Sequence, residues 1–383
     1  VSKIEALFSD LDNGIANFKK AQEQLKVYRQ AVLKKAFEGE LTKEWRAKQT
    51  HLPTAEELLK QIKEERQNHY NQQIEDWKKA VKEWEKNGKV DEKPKKPSLA
   101  KEFPPLNQSE LNKLPTEWMW VNWSDILDYN EGAFKRGPFG SSLTKSIFVS
   151  GGYKVYEQYC PINDDCSFER YYITDEKFKE LNSFSVKAGD FLISCSGVTL
   201  GRITQVPEKY KEGVINQALL RLRINRDFID DKFFIFYFRS PFFQKQIFDN
   251  STGSAIPNIK GVNELKVIPV PLLTKAEQKQ ILQEIEFRLS VCDKMEQSIN
   301  ESIEKAEALR QSILKKAFEG KLLSEAEIQQ CKQAADYEPA SELLKKIQAE
   351  KLAKEQEKKK STIKKKSKQK TICLYQNSFR NLQ

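Results

Sequence analysis

Two histidines, His51 and His69, and six cysteines are the residues of this 383-residue chain from which a nucleophilic or metal site could be built. The cysteines, at 160, 166, 195, 292, 331 and 373, form no CxxC pair. Neither histidine has clustered ligands at the spacing zinc requires, so no metal site and no metal cofactor is expected, and the thiols are expected to be reduced. A Ser/His/Asp triad would need a histidine in the globular part of the chain, and both lie outside it. No GxGxxG opens a helix after a strand, and no GxxxxGK[ST] is present. Phe103–Leu106 (FPPL) has the prolines of an adenine-methyltransferase turn but neither the polar residue before them nor the aromatic after. Asp190 and Glu212 could contribute to a metal-dependent nuclease, yet no lysine sits at the expected spacing beyond a strand. The chemistry expected of the chain is therefore binding, without catalysis.

What it binds is indicated by charge. A formal charge of +10 and a pI of about 9.0 point to an anionic partner, nucleic acid before membrane. No apolar run approaches the roughly 20 residues that span a bilayer, and Val1–Asp10 (VSKIEALFSD) is an amphipathic helix start without an apolar signal core. A cytoplasmic protein is expected. Lys135 and Arg136 precede a Gly-Pro turn where backbone can approach a phosphate, with Ser141, Ser142 and Lys145 close behind; the alternative is an ordinary solvated loop. Ser196 and Thr199 lie in a short glycine-bearing segment, SCSGVT, which also reads as a tight turn between strands. Asn216 and Gln217 have the amides that read adenine in a major groove, or that bond backbone in a fold. Ser254, Asn258 and Lys260 occupy a polar loop. Arg221 and Arg223 alternate with Leu220, Leu222 and Ile224, which reads as a solvated sheet face, and the aromatics of Phe233–Phe248 read as core.

These residues must be positioned by something, and the chain carries an internal repeat on either side of them. Tyr28–Leu41 (YRQAVLKKAFEGEL) and Leu309–Leu322 (LRQSILKKAFEGKL) share ten identities at an offset of 281. Around the first copy, Ile4, Phe8, Leu11, Ile15, Phe18, Leu25, Val32 and Ala36 follow a heptad seam with Gln22 and Arg29 as polar interruptions. The second copy places Ile285, Leu289, Cys292, Ile299, Ile303, Ala306, Ile313 and Ala317 at the same offset, with Arg310 matching Arg29. Both helices should stop at a glycine, Gly39 and Gly320. A weaker echo joins Ala55–Glu65 to Ala340–Glu350. Two copies suit two long helices packed against each other, related by a pseudo-twofold axis.

The domain organisation follows: a helix over 1–50, a polar helix and Lys/Pro linker over 51–102, a mixed α+β globular domain over 103–275, the repeat helix over 276–323, and a short helix with a basic, disordered tail over 324–383. Strands are expected at Trp118–Val121, Tyr153–Tyr156, Asp190–Ser194 and Ala218–Ile224, and helices at Leu58–Asn87, Ile229–Phe238 and Pro241–Phe248. The fold class is α+β, one globular domain flanked by two long helices.

Arg136–Leu143 (RGPFGSSL), Gly189–Arg202 (GDFLISCSGVTLGR), Ile215–Leu220 (INQALL), Gly253–Ile259 (GSAIPNI) and Val267–Gln278 (VIPVPLLTKAEQ) together resemble the target-recognition domain of the specificity subunit of type I restriction–modification enzymes. The repeated LKKAFEG helix resembles the conserved helices of that family, and the resemblance runs from Val1 to about Glu350. It implies a non-catalytic subunit that reads double-stranded DNA in two parts, while modification subunits methylate and restriction subunits cleave. It also implies an antiparallel coiled-coil spacer whose length sets the gap between half-sites. The family's complete subunit has two recognition domains and this chain has one, which implies either a piece of a longer subunit or a half-subunit that pairs with a second copy. Two other readings are a coiled-coil assembly scaffold whose globular domain binds protein, and a cryptic nuclease.

Overall fold

The computed structural model describes residues 1–90, 92–197, 199–248 and 258–358. The tail from 359, including most of the basic run expected to be disordered, lies outside the described residues, as does Ser254. The chain divides into two compact units, one of Ala16–Ser302 and one of Val1–Ile15 with Ile303–Gln383.

Two long helices pass through both units: α1 (Ser2–Phe37) and, far along the chain, α9 (Lys275–Phe318). The seam residues read from sequence are those turned from solvent: Leu25, Val32 and Ala36 of α1, and Ile285, Cys292, Ile299 and Ile313 of α9, are buried. The polar interruptions are matched across the helices. Within the larger unit, Gln22 donates to Asn300 Oδ1 at 2.7 Å, and Arg29 pairs with Asp293 at 2.7 Å and Glu296 at 2.9 Å. Within the smaller unit, Arg310 pairs with Asp12 and lies 4.9 Å over the Phe8 ring, and Lys3 pairs with Glu327. In the larger unit rising numbers on α1 meet falling numbers on α9, so the helices run antiparallel there. Asp293 is Asp12 plus 281 and Arg310 is Arg29 plus 281. One ion pair is thus the repeat's image of the other, as self-complementary antiparallel segments require. Both helices end alike: Gly39 (φ 77°) and Gly320 (φ 72°) adopt the left-handed conformation. Glu40 N donates to Lys35 O at 3.0 Å and Lys321 N to Lys316 O at 2.8 Å, closing the last turns.

In the larger unit, α1 leads through α2 (Lys43–Ala47) into α3 (Ala55–Lys86), which Thr54 and Glu57 start with a reciprocal capping box. Trp77 on α3 donates to Pro94 O at 2.9 Å, so the Lys/Pro linker doubles back along the helix. Among the described residues the globular domain holds three small sheets. In the first, β1 (Met119–Asn122) pairs antiparallel with β9 (Pro269–Leu272). In the second, β2 (Phe134–Arg136), β8 (Leu219–Leu222), β5 (Phe191–Ser194) and β6 (Ile203–Gln205) lie in that order, all antiparallel. In the third, β3 (Tyr153–Tyr156) lies between β4 (Tyr172–Ile173) and β7 (Gly213–Ile215). Short helices α4 (Tyr159–Asn163), α5 (Asp175–Glu180), α6 (Asp231–Phe238), α7 (Pro241–Ile247) and α8 (Val262–Leu265) fill the connections.

The core is aromatic, as expected of this stretch. Trp123 is 1% exposed and meets Phe134 and Phe243 edge-on, each at 5.0 Å. The first repeat copy enters the same core: Phe37 packs edge-on against Phe233 at 5.4 Å and Tyr237 at 5.0 Å, and Ile62 of α3 is wholly buried. Glu277, 1% exposed near the start of α9, ties three segments together. Its carboxylate accepts from Thr42 Oγ1 at 2.8 Å, Arg46 Nε at 3.1 Å and Trp118 Nε1 at 2.8 Å.

Arg221 and Arg223 depart from the solvated face expected of them. Every residue of β8 is buried, because both faces of the four-stranded sheet are covered. Arg221 is 2% exposed and donates to Ser185 O and Gly132 O. Burial, with Arg223 close by, lowers its guanidinium to about 10. Arg223 makes a two-pronged pair with Asp190, at 2.6 and 2.8 Å. Asp190, weighed above as a nuclease carboxylate, is a buried counter-ion.

Candidate nucleic-acid interface

The antiparallel registers of the four-stranded sheet decide which loops meet. Arg136 lies opposite Leu220, Ser194 opposite Leu219, and Ile193 opposite Ile203. The C-terminal ends of β2 and β5 and the N-terminal ends of β8 and β6 therefore share one end of the sheet. From it emerge the segment after Arg136, the loop 195–202, and the turn 216–218. A fourth segment joins them: Ser196 forms an isolated antiparallel bridge with Asn258, and Ile259 N donates to Cys195 O at 3.0 Å.

The segments are locked to one another from below. Ser194, wholly buried, donates from Oγ to Thr199 O at 3.1 Å and accepts on the same oxygen from Arg202 N at 2.9 Å. Its carbonyl accepts from Gly201 N at 2.9 Å. One hydroxyl thus closes an eight-residue loop. Cys195 beside it is inert, since burial pushes its thiol up to about 12. Gly137 abuts the 216–218 turn: a Cβ there would lie 1.9 Å from Asn216 O, so only glycine allows the two segments to touch.

The residues expected to make contacts fall into distinct settings. Arg136, half-buried, donates from Nη2 to Asn258 Oδ1 at 3.2 Å and lies 5.3 Å over the Phe139 ring. The structure thus brings Arg136, Ser196 and Asn258 together. Gln217 is exposed on the 216–218 turn, while Asn216 caps that turn locally, its Oδ1 accepting from Ala218 N at 3.1 Å. Thr199 is exposed and contributes its carbonyl to the Ser194 clamp. Lys260, half-buried, is anchored through its backbone N–H to Ile247 O at 2.9 Å. Ser141 and Ser142 occupy the short 3-10 turn Gly140–Leu143, where Ser142 Oγ donates to Phe139 O at 3.3 Å. Lys145 is exposed on the next turn, Lys145–Ile147. Lys135 stands apart: strand alternation turns it from Arg136, and its ammonium lies 4.8 Å over the Phe184 ring.

One residue of this edge was not among those expected. Arg202, exposed at the end of the clamped loop, has a guanidinium with no hydrogen bond or ion pair among the described residues. The available signal is the Gly-Arg pair that ends GVTLGR, three residues past Thr199. Among the described residues no group of three or more His, Cys, Asp or Glu could hold a metal, and no helix is long and apolar enough to cross a membrane. The edge offers amide, guanidinium, hydroxyl and ammonium donors on a rigid strand end, a set suited to polar recognition of an anionic polymer.

Comparison with known proteins places relatives beside this arrangement. No family model matches the chain. It is 21% identical over 360 residues to the EcoDI type I restriction enzyme specificity subunit of Escherichia coli, a match spanning 92% of this chain and 66% of that protein. It is 28% identical over 197 residues to the EcoBI specificity subunit of the same organism, spanning 51% of this chain and 41% of that protein. A 178-residue match at 25% identity joins it to the StySPI specificity subunit of Salmonella potsdam, 38% of whose length is covered. Among solved structures, the HsdS subunit from Thermoanaerobacter tengcongensis aligns with 84% of this chain and 57% of its own, at a TM-score of 0.42 and 16% identity. The chain's curated relatives are type I restriction enzyme specificity subunits, and it spans two thirds or less of the length of each.

Proposed function

We propose that this chain is a non-catalytic, sequence-specific reader of double-stranded DNA, acting as specificity subunit in a type I restriction–modification complex and reading one half of a bipartite site. The observation that carries the reading is the convergence of four loops on one end of a sheet whose two central strands are fully buried. Arg202, Gln217 and Lys260 stand on that edge with hydrogen-bonding side chains directed to no partner among the described residues, and Lys145 stands likewise on the segment that leads from it. Guanidinium and ammonium groups supply phosphate contacts and hence affinity; amide and hydroxyl groups supply base choice. Strand ends hold these groups more rigidly than free loops would, which suits discrimination by hydrogen-bond geometry.

The antiparallel helices act as spacer. At about 1.5 Å per residue the 36 residues of α1 reach about 54 Å, on the order of one and a half turns of duplex at about 34 Å each. Their outer faces, rich in Lys and Glu, dock modification subunits, to which restriction subunits add. The two repeat copies differ in cover: Phe37 is 4% exposed against the recognition domain, whereas Phe318 is 90% exposed. Ile62 of the weaker echo is wholly buried, whereas Ile347 is 44% exposed. The second copy is the seat for a second domain of the same architecture, carried either by a second copy of this chain or by the same polypeptide.

The test is duplex binding by the chain with its modification subunits, against a library of random sequences, at several salt concentrations. Enrichment of a bipartite sequence, with affinity falling steeply as salt rises, is the expected result. Equal binding to all duplexes together with salt-insensitive capture of protein partners would overturn it in favour of a scaffold. Metal-dependent cleavage by the isolated chain would overturn the non-catalytic assignment.

A further inference from the structure

Beside the loop edge a cleft of about 410 Å³ opens, lined by Gln30, Asp164, Gly201, Arg202, Arg239 and Gln244 among others. Two guanidinium groups belong to it, and they differ in how they are held. Arg239 is braced from within the fold, donating to Asp164 Oδ2 at 3.3 Å and to Ile203 O at 3.1 Å. Asp164 also accepts from Thr204 Oγ1 at 2.6 Å, and it adopts a left-handed conformation (φ 53°) at the end of α4. Among the described residues Arg202 is held only through its backbone, by the 2.9 Å bond from its N–H to Ser194 Oγ. The residue before it is fixed too: Gly201 O accepts from Gln244 Nε2 at 3.2 Å, and a Cβ at Gly201 would press to 3.0–3.1 Å on Phe248, Gln244 and Ile247.

Among the described residues the cleft therefore carries two guanidinium groups against one carboxylate, and the one without an ion pair there sits on anchored backbone. A planar guanidinium fork matches the oxygens of a phosphate, and an anchored base reduces the entropy lost when it engages. The 195–202 loop that ends at Arg202 is part of the loop edge, so a polymer lying along that edge brings a flanking phosphate to the cleft mouth.

We propose that this cleft holds one backbone phosphate of the DNA flanking the recognised half-site, gripped by Arg202 with Arg239 as the braced second cation. The proposal rests on the reading of the loop edge as a DNA interface, and deepens it by assigning a position-fixing contact outside the bases. Arg202 here sets register and affinity and leaves base choice unchanged.

The experiment is a salt-dependent binding series with the selected duplex and a scrambled one, using the protein in its complex with modification subunits, together with duplexes carrying a single neutral methylphosphonate at successive flanking positions. Arg202→Ala should weaken binding to both duplexes by the same factor, roughly tenfold for a lost charge-assisted contact, and reduce the salt slope by about one unit. Arg202→Lys should keep the slope and lose part of the affinity. One methylphosphonate position should weaken the wild-type protein and leave Arg202→Ala unaffected. Inorganic phosphate should displace no more DNA than chloride of equal ionic strength; specific displacement from wild type alone would assign the cleft to the free ion and overturn the proposal. A scan identical in wild type and Arg202→Ala would also overturn it, as would a loss confined to the selected duplex. In each of those outcomes the wild-type protein still prefers the selected duplex, whereas failure of the DNA-reading function removes that preference from the wild type itself.

Discussion

The same phenylalanine occurs at corresponding positions of the two repeat copies, which makes a controlled comparison possible. Phe37→Ala removes a ring that is 4% exposed and packed edge-on against Phe233 and Tyr237. Loss of a buried aromatic side chain with incomplete collapse of its site costs about 3–5 kcal/mol. For a body of this size each kcal/mol lowers the melting temperature by about 2–4 °C, so a fall of roughly 6–20 °C is expected. Phe318→Ala removes a ring that is 90% exposed and should change stability by no more than about 0.5 kcal/mol. The assay is thermal unfolding of each variant, followed by far-UV and near-UV circular dichroism, with a Phe37→Ala/Tyr237→Ala double mutant. The double mutant should reveal a coupling of about 0.5–1.5 kcal/mol for the edge-on contact. Equal losses from both single variants would refute the reasoning, because the second copy would then be packed where the structure leaves it bare. Once a second recognition domain is supplied, Phe318→Ala should weaken the assembly while Phe37→Ala retains its unfolding penalty.

Glu277→Ala removes the acceptor shared by Thr42, Arg46 and Trp118 but leaves Arg46 with Glu117 at 3.7 Å and Gly39 O, so it should cost about 1–3 kcal/mol; chemical denaturation reads it, and no measurable loss would show the network to be ornamental. Ser194→Ala leaves Thr199 O and Arg202 N without their shared hydroxyl, costing about 1–3 kcal/mol; the preferred duplex should lose its advantage over scrambled DNA by more than total affinity falls, and an unchanged ratio would count against the clamp. The Cys195 thiol is raised to about 12 from an ordinary value of 9.0, so its contribution to stability is full below pH 9 and is lost as pH climbs toward 12. Cys195→Ala should accordingly flatten the alkaline limb of the unfolding midpoint, and an unaltered limb would place the titration elsewhere. Inserting four residues after Lys19 lengthens α1 by about 6 Å and nearly preserves the seam as a stutter. A two-domain assembly carrying it should methylate sites with a longer central gap, and unchanged gap preference in the folded variant would reduce the helices to a docking surface.

Legibility in the sequence followed the range of the forces involved. The seam from Ile4 to Ala36, its image on α9 and the glycine stops at 39 and 320 were readable because helix periodicity and backbone conformation are local. Arg221 and Arg223 were misread for a reason equally physical: alternation marks a solvated face only when one side of a sheet meets water, and here both sides are covered. Nothing in LKKAFEG distinguishes Phe37 from Phe318, since the difference lies entirely in what packs against each. Of the loop edge, sequence revealed the polar segments but not their meeting point, which depends on strand order. Arg202 is not legible because its placement depends on Ser194, a residue that reads as ordinary strand.

The pairing of β1 with β9 has a consequence of a different kind. Met119 lies opposite Leu272 and Asn122 opposite Pro269, so the first and last strands of the globular domain are neighbours, about 4.8 Å apart. The domain begins and ends at one doorway, and the helices outside see the same pair of ends whatever lies within. Between those strands the chain can lengthen a loop, exchange an edge or be replaced by a cognate module while the helical frame keeps its alignment. Under the proposed function such a chain would be a cassette holder: chimaeras joined within β1 and β9 should inherit the preference of the inserted segment, and lineages could diversify what they read without redesigning how they assemble.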